Sequence, residues 1–299
     1  MSTIPPRVVV VSRPSEYEAL IARHATHAQA AFFLSNRNQD IEVVRDRHEK
    51  QEKALHAVGT AVPLSWRSAS VLRNDLDRFV FEPEDIVVIV GQDGLVANTS
   101  KYLSEHPIIG INPDFELNDG ILVPFRPDDA AELIQSVAAN QASLQLRTMV
   151  NALLDDGQSL TALNEIFVGV RSHQSARYRI RFNGTEERQS SSGIIISTGT
   201  GATGWTRSIA LQRNAQPQLP KPEDHALVFF VREAFPSIST GTSLAEGVLD
   251  GNKELQITSE NNTGGVIFGD GIETDYLTFD WGQEVRISTS QHACCMVTG

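Results

Sequence analysis

The spacing of apolar and polar positions changes character twice along this chain, and each change marks a different kind of element. Val8-Val9-Val10-Val11 is a short unbroken apolar run and reads as a strand buried on both faces. From Glu16 to about Ala57 the pattern becomes helical and heavily charged. Val62-Pro63-Leu64-Ser65-Trp66 predicts another strand, with a proline that suits a sheet edge better than its centre. Ile86-Val87-Val88-Ile89-Val90 is the clearest strand of all and leads at once into Gly91-Gln92-Asp93-Gly94. Leu95, Val96, Thr99, Tyr102 and Leu103 then recur at helical spacing before a further strand, Ile108-Ile109-Gly110-Ile111. Strand, helix and strand with short links make a parallel α/β unit. The expected fold class is therefore α/β, with an open, Rossmann-like domain over residues 1–125.

After a helix expected over Asp128 to Ala139 the texture turns to strands. Leu144 to Leu154 and Ser159 to Val170 flank Asp155-Asp156-Gly157-Gln158, a hairpin turn. Tyr178, Ile180 and Phe182 alternate with Arg177, Arg179 and Arg181, and Asn183-Gly184 follows as a second hairpin signal. Further strands are expected over Ala226 to Val231, Glu254 to Thr258, Val266 to Phe268 and Glu284 to Ser288. Residues 126–299 thus read as a mainly-β domain, with the last strand a candidate to return to the first domain. Pro217 to Glu223 reads as a surface loop, and no internal repeat or low-complexity linker is evident.

Composition narrows the classes. At 299 residues, 40% hydrophobic and 21% charged, the chain is long enough for two domains with a full core. No apolar run approaches the roughly 18 residues of a membrane span, and Met1 to Val11 lacks the pattern of a secretory signal. Cys294 and Cys295 are adjacent, which suits no long-range disulfide, so a reducing cytoplasm is the expected location. The net charge of −12 argues against a general nucleic-acid or anionic-membrane binder. It leaves room for a small polyanion held by backbone N–H groups, a helix N-terminus, a few arginines and Mg²⁺.

Three places carry candidate chemistry. Gly91-Gln92-Asp93-Gly94 follows a parallel strand and opens a helix, at the sheet edge where open α/β folds bind ligands. Taken alone it reads first as a tight turn whose aspartate caps the helix Leu95 to Glu105. The chemical reading is a phosphate approached by glycine backbone, with Asp93 as a base for a hydroxyl. In Ser191 to Ser208, an apolar strand Ile194-Ile195-Ile196 empties into small residues and then Gly204-Trp205. Such a loop suits a ribose or phosphate, with Trp205 either stacking on a base or anchoring the loop, and it contains no Walker A sequence. Asn164-Glu165 lies inside an otherwise apolar run, so at least one of the two should be buried or near a partner unless the pair marks a strand edge. The three arginines of Arg177 to Arg181 read as a solvated face. His24 and His27 could share a helix face but lack a third ligand, and Cys294-Cys295 lacks the spacing of a redox pair.

Taken together and in order, VGQDG, IIGIN, ALNEIFVG and SSGIIISTGTGATGW resemble the NAD kinase family, and in detail its mitochondrial type and bacterial relatives. The resemblance runs from Val8 to about Gly271, with VVVVSR, FVRE and FGDG also similar. It implies an N-terminal α/β domain, a β-rich C-terminal domain and a site between them. It further implies ATP and NAD as substrates, Mg²⁺ carried by ATP rather than held by the protein, and a homodimer or homotetramer. Asp93 would act on the 2′-hydroxyl of the adenosine ribose. Gly91, Gln92, Gly94, Thr200 and Gly201 would lie near the phosphates or nucleotide. Asn164, Glu165, Ser192, Thr203, Gly204, Trp205 and Ser208 would bind the dinucleotide.

Three departures stand out. Gln92 replaces the second glycine of the family's GGDG, Ser192 stands where the common bacterial type has aspartate, and Pro113 to Gly120 differs from the common GRLGFL pattern. Two alternatives therefore accompany the kinase reading at this level: a catalytically silent NAD(P)-binding regulator, and a kinase with a nucleoside or lipid acceptor.

Overall fold

The computed structural model describes residues 5–213 and 217–299. The chain divides into two compact units, one of Met1–Gln145 with Cys295–Gly299 and one of Leu146–Cys294.

The first unit is built on a six-stranded sheet. Its strands are β1 (Arg7–Ser12), β2 (Arg67–Leu72), β3 (Ile86–Val90), β4 (Pro107–Ile111), β5 (Ser143–Arg147) and, from the end of the chain, β18 (Cys294–Thr298). They lie in the order β2-β1-β3-β4-β18-β5, and β1 pairs parallel with both β2 and β3. β3 and β4 are also parallel, as are β4 and β18. All five residues of β3 are buried, which is why its sequence is apolar without alternation.

The helices of this unit are α1 (Glu16–His24), α2 (His27–Ser35), α3 (Ile41–Ala61), α4 (Asp93–Ser100) and α5 (Ala130–Ala138). One face of the sheet is covered by Ala54 and Val58 of α3 and by Ala130, Ile134 and Val137 of α5. These meet Val8, Val10, Val88, Val90, Ile109 and Ile111. Each valine or isoleucine among them, fully buried, contributes about 1.5–3 kcal/mol. Ser15 starts α1 with a capping box to Glu18.

Two expectations are corrected here. Residues 62–66 form a turn and no strand: Pro63 has no N–H to give a ladder, Trp66 N–H donates back to the Pro63 carbonyl at 2.8 Å, and Leu64 is wholly exposed. The strand is the next segment, β2, in which Val71 is the one buried residue, so its sequence carries little signal. His24 and His27 do not share a helix face, because the chain turns between α1 and α2 at Ala25, whose φ is 65°.

The second unit holds two six-stranded sheets. One comprises β6 (Val150–Leu154), β7 (Ser159–Ala162), β9 (Ala176–Phe182), β10 (Thr185–Ser191), β14 (Leu255–Ser259) and β17 (Glu284–Thr289), in the order β10-β9-β14-β17-β6-β7. The other comprises β8 (Glu165–Val170), β11 (Ile194–Ser197), β12 (Ala226–Val231), β13 (Glu246–Asp250), β15 (Gly265–Gly269) and β16 (Tyr276–Thr278), in the order β13-β12-β11-β8-β15-β16. A single core joins them, with Ile166, Ile194 and Phe229 from one sheet and Val150, Tyr178 and Ile257 from the other. The far side of the second sheet is packed by α6 (Trp205–Arg213) through Ile209.

Asn183 and Gly184 both take positive φ, 49° and 79°, as a two-residue hairpin between β9 and β10 requires. The arginines of β9 are exposed and pair with carboxylates, Arg179 with Glu260 and Arg181 with Glu186. The run Ser159 to Val170 is two strands of different sheets, broken at Leu163-Asn164. The chain thus presents an α/β unit and a mainly-β unit, as the sequence led us to expect of its fold class.

Candidate functional site

In the first unit the site grows from the carboxyl end of β3. Gly91 extends that strand, its N–H donating to the Ile111 carbonyl at 3.0 Å. Gln92 occupies the N-cap position of α4 with extended backbone and makes no side-chain cap. Asp93 begins the helix, where its charge suits the helix dipole. It does not cap α4. Its carboxylate reaches the other way, Oδ1 accepting from Leu122 N–H at 2.9 Å and Oδ2 from Ile121 N–H at 3.2 Å. A Cβ built on Gly94 would meet nothing within 4 Å, so no packing inside the protein calls for glycine there. The space above the turn is open.

The Gln92 side chain joins two loops. Its Oε1 accepts from Arg13 Nη2 at 2.8 Å and its Nε2 donates to Asn118 Oδ1 at 2.8 Å. Asn118 belongs to the segment after β4, which Asn112 also holds by donating to the Asn118 carbonyl. A cavity of about 760 Å³ lies along this edge of the sheet. Arg13 lines it from behind β1, Arg73 and Asn74 from behind β2, Gly91 and Gln92 from behind β3, and Asn118 from behind β4. Its size and its place at the carboxyl ends of parallel strands are those of a small-molecule site.

In the second unit the structure brings the Asn164-Glu165 pair and the Thr198 to Gly201 loop together. Asn164 lies in the link between β7 and β8, and Glu165 opens β8. That link is clamped by Asp270, whose carboxylate accepts from Leu163 N–H at 3.1 Å and Asn164 N–H at 2.7 Å. Thr198 then donates its N–H to the Asn164 carbonyl at 2.9 Å and its hydroxyl to the Leu163 carbonyl at 2.6 Å. A Cβ on Gly201 would come within 2.3 Å of the Asn164 carbonyl oxygen, so only glycine admits this contact. Gly199 is confined in the same way by the Lys221 backbone.

Two polar groups here are left in unusual states. The Thr200 hydroxyl is buried with no hydrogen-bond partner, a condition that costs roughly 1–3 kcal/mol unless something else meets it. The Glu165 carboxyl is pushed up to about 7, first by burial and then by the charge of Asp270. Perturbed carboxyls of this kind cluster at functional sites.

The remaining candidates line the exposed flank of the same unit. Thr203, Gly204 and Ser208 are exposed, and Thr203 Oγ1 donates to the Thr200 carbonyl at 3.0 Å. Trp205 is 41% exposed, with the Arg232 guanidinium 5.0 Å from its ring centre and Phe167 stacked beside it at 6.4 Å. Ser192 is exposed and its N–H donates to the Arg232 carbonyl. Sequence reasoning passed over Arg13, Asn118 and Asp270 as site residues. For Asp270 a signal existed, an Asp-Gly turn at the end of a strand; Arg13 and Asn118 become visible only when the loops of the sheet edge meet.

No family model matches the chain. Among curated proteins it is 27% identical over 215 residues to the NAD kinase of Chlorobaculum tepidum, covering 70% of this chain and 69% of that one. It is 30% identical over 166 residues to the NAD kinase of Methanoregula boonei, covering 54% and 60%. Among solved structures, an NAD kinase from Archaeoglobus fulgidus in complex with ATP superposes with a TM-score of 0.59 at 19% identity, covering 98% of this chain and 93% of the other. Yeast NADH kinase complexed with NADH gives 0.62 at 16%, covering 99% and 84%. By sequence over much of its length this chain is similar to NAD kinases, and it shares the fold of the two solved kinases over nearly all of it.

Proposed function

We propose that the chain is an ATP-dependent NAD kinase, which transfers the γ-phosphate of ATP to the 2′-hydroxyl of the NAD adenosine ribose and releases NADP and ADP. The observation that carries this reading is the second unit's clamp: the Asn164-Glu165 link and the Thr198 to Gly201 loop are packed backbone to backbone, with a buried unpartnered hydroxyl and a perturbed carboxyl at their junction. The relatives by sequence are named NAD kinase, and the neighbours by fold are an NAD kinase in complex with ATP and an NADH kinase complexed with NADH.

In the first unit, Asp93 takes the proton of the attacking hydroxyl. Two backbone N–H groups fix its carboxylate, and each oxygen keeps a further lone pair for that proton. General-base assistance of this kind contributes roughly 10²–10⁴-fold. Gly91, Gln92 and Gly94 border the phosphates, where positioning and electrostatic stabilisation dominate phosphoryl transfer. In the second unit, Glu165 and Asn164 hold sugar hydroxyls, Thr200 and Gly201 contact the nucleotide, and Ser192, Thr203, Gly204, Trp205 and Ser208 complete the dinucleotide surface.

Among the described residues no three His, Cys, Asp or Glu side chains lie together as a metal cage. In this reading Mg²⁺ is part of the ATP it accompanies. Among the described residues no helix is long and apolar enough to cross a membrane. A cytoplasmic, homo-oligomeric protein acting on small molecules completes the proposal.

The test is a coupled assay of NADP formation by the purified chain with NAD and Mg-ATP. Formation of NADP that depends on ATP supports the reading. Binding of NAD without any turnover would leave the silent regulator, and turnover on nucleosides or lipids alone would assign another acceptor.

A further inference from the structure

We propose that Gln92 is a positioning residue, whose amide fixes the Arg13 guanidinium on the cavity wall of the first unit as a cation for the phosphates of the nucleotide. The inference rests on reading that cavity as a polyphosphate site.

The geometry singles out glutamine. Arg13 Nη2 donates to Oε1 and Nε2 donates to Asn118 Oδ1, both at 2.8 Å. Asn118 is itself oriented by its own Nδ2, which donates to the Asp114 carbonyl, so that its oxygen faces Gln92. The position must accept from one neighbour and donate to the other. A primary amide does both at once. A carboxylate would oppose the Asn118 oxygen, an ammonium would oppose Arg13, and glycine would hold neither.

The partner that holds Arg13 is also neutral. Arg47, on the same cavity wall, lies 3.9 Å from the carboxylate of Glu16. Arg13 has no carboxylate partner among the described residues, so Gln92 anchors its charge without cancelling it. A fixed and unneutralised guanidinium on the cavity wall beside Gly91 is what a pair of phosphate oxygens recognises. In this chain a tethered cation therefore stands beside the turn after β3, where the phosphates would be met.

Gln92→Gly is a clean perturbation, because glycine is well tolerated at an N-cap and the backbone there has φ −112°. Gln92→Leu keeps the bulk and loses both hydrogen bonds, and serves should the glycine variant lose melting temperature. Calorimetry with inorganic tripolyphosphate on the full chain measures the site without relying on turnover. Gln92→Gly and Gln92→Leu should weaken tripolyphosphate by roughly five- to tenfold, and Arg13→Ala by about tenfold or more, the scale of one charge-assisted hydrogen bond. The double variant Gln92→Gly with Arg13→Ala should bind no worse than Arg13→Ala alone. In the coupled assay the KM for Mg-ATP should rise more than kcat falls.

Unchanged tripolyphosphate binding in Gln92→Gly, or effects that multiply in the double variant, would overturn the proposal. So would a wild-type chain that does not bind tripolyphosphate. A chain that binds tripolyphosphate through this pair yet forms no NADP would instead leave the pair standing and remove the kinase reading.

Discussion

Replacing Glu165 by Gln should make the protein more stable at neutral and higher pH, and the size of the gain follows from the site. The carboxyl is raised from an ordinary value of 4.5 to about 7 by burial and by Asp270. Between these two values the folded state keeps a proton that the unfolded chain has released, so stability falls as pH rises across that window. Below about pH 4.5 both states are protonated and no penalty exists; above about pH 7 it is complete. At about 1.4 kcal/mol per pH unit the full penalty is about 3 kcal/mol, trimmed toward about 2 by the carboxyl's partial exposure. Glutamine keeps the size of the protonated acid and cannot ionise. Urea unfolding of wild type and Glu165→Gln without nucleotide, from pH 4.5 to 8.5, measures the difference. The variant should lead by about 2–3 kcal/mol at pH 8 and draw level near pH 4.5–5. Equal stability at pH 8 would refute the reasoning, as would a lead independent of pH. At pH 8, where the wild-type carboxyl is charged, the same variant should bind NAD more weakly, by about tenfold, since a charged acceptor for sugar hydroxyls is lost.

Asp93→Asn leaves one acceptor and turns an NH₂ toward the second loop N–H, so the fold should lose about 1–3 kcal/mol while turnover falls at least about 100-fold with dinucleotide binding kept; turnover near that of wild type would remove Asp93 from the mechanism. Asn164→Ala should weaken NAD binding in a folded protein, read by calorimetry, whereas a lowered melting temperature with unchanged affinity would make Asn164 a strand link and no more. Thr200→Val removes a buried hydroxyl that has no partner, so the free protein should be as stable or more stable while nucleotide affinity drops about five- to tenfold, near 1 kcal/mol; a stability loss beyond about 1 kcal/mol would show that the hydroxyl is satisfied within the fold.

The sequence carried the parts of the fold whose environment is uniform. β3 is buried along its whole length and β9 alternates strictly, so apolar run and period-two pattern were each legible. β2 was not, because an edge strand with a single buried side chain has no pattern to show. β10 is paired along its length with β9, yet its sequence TEERQSS is polar, since one face looks to solvent and the other buries Gln189 and Ser191. The break at Leu163-Asn164 was hidden for the opposite reason. The apolar residues on its two sides belong to different sheets that share one core, so the run reads as continuous while the chain passes from one sheet to the other. Two adjacent polar residues within an apolar run were the visible trace of that switch. The candidate residues were legible as motifs, but the contacts among them were not: Gly201 on Asn164 and Asp270 beneath the link join positions far apart in the chain.

Asp93 shows why a motif and a turn need not be rival readings. Its carboxylate ties the turn after β3 to Ile121 and Leu122, 28 and 29 residues further on. Gly120, just before those two N–H groups, takes φ 67° where a Cβ would meet Asn112 Nδ2 at 2.7 Å and the Val123 carbonyl oxygen at 2.8 Å, so the segment that offers them depends on glycine there. Gln92 grips Asn118 in the same segment. Two consecutive side chains thus fasten one loop, and the loop in turn fixes the direction of the carboxylate. A carboxylate has about four acceptor positions, and two are engaged here. A free aspartate at a helix start would sample several rotamers, each placing its oxygens differently; the loop removes that freedom before any substrate arrives, and fixed geometry of this order is what effective proton transfer requires. The structural duty is therefore the means by which Asp93 can serve as a base, and a substitution that spares the chemistry but frees the loop should impair turnover through orientation alone.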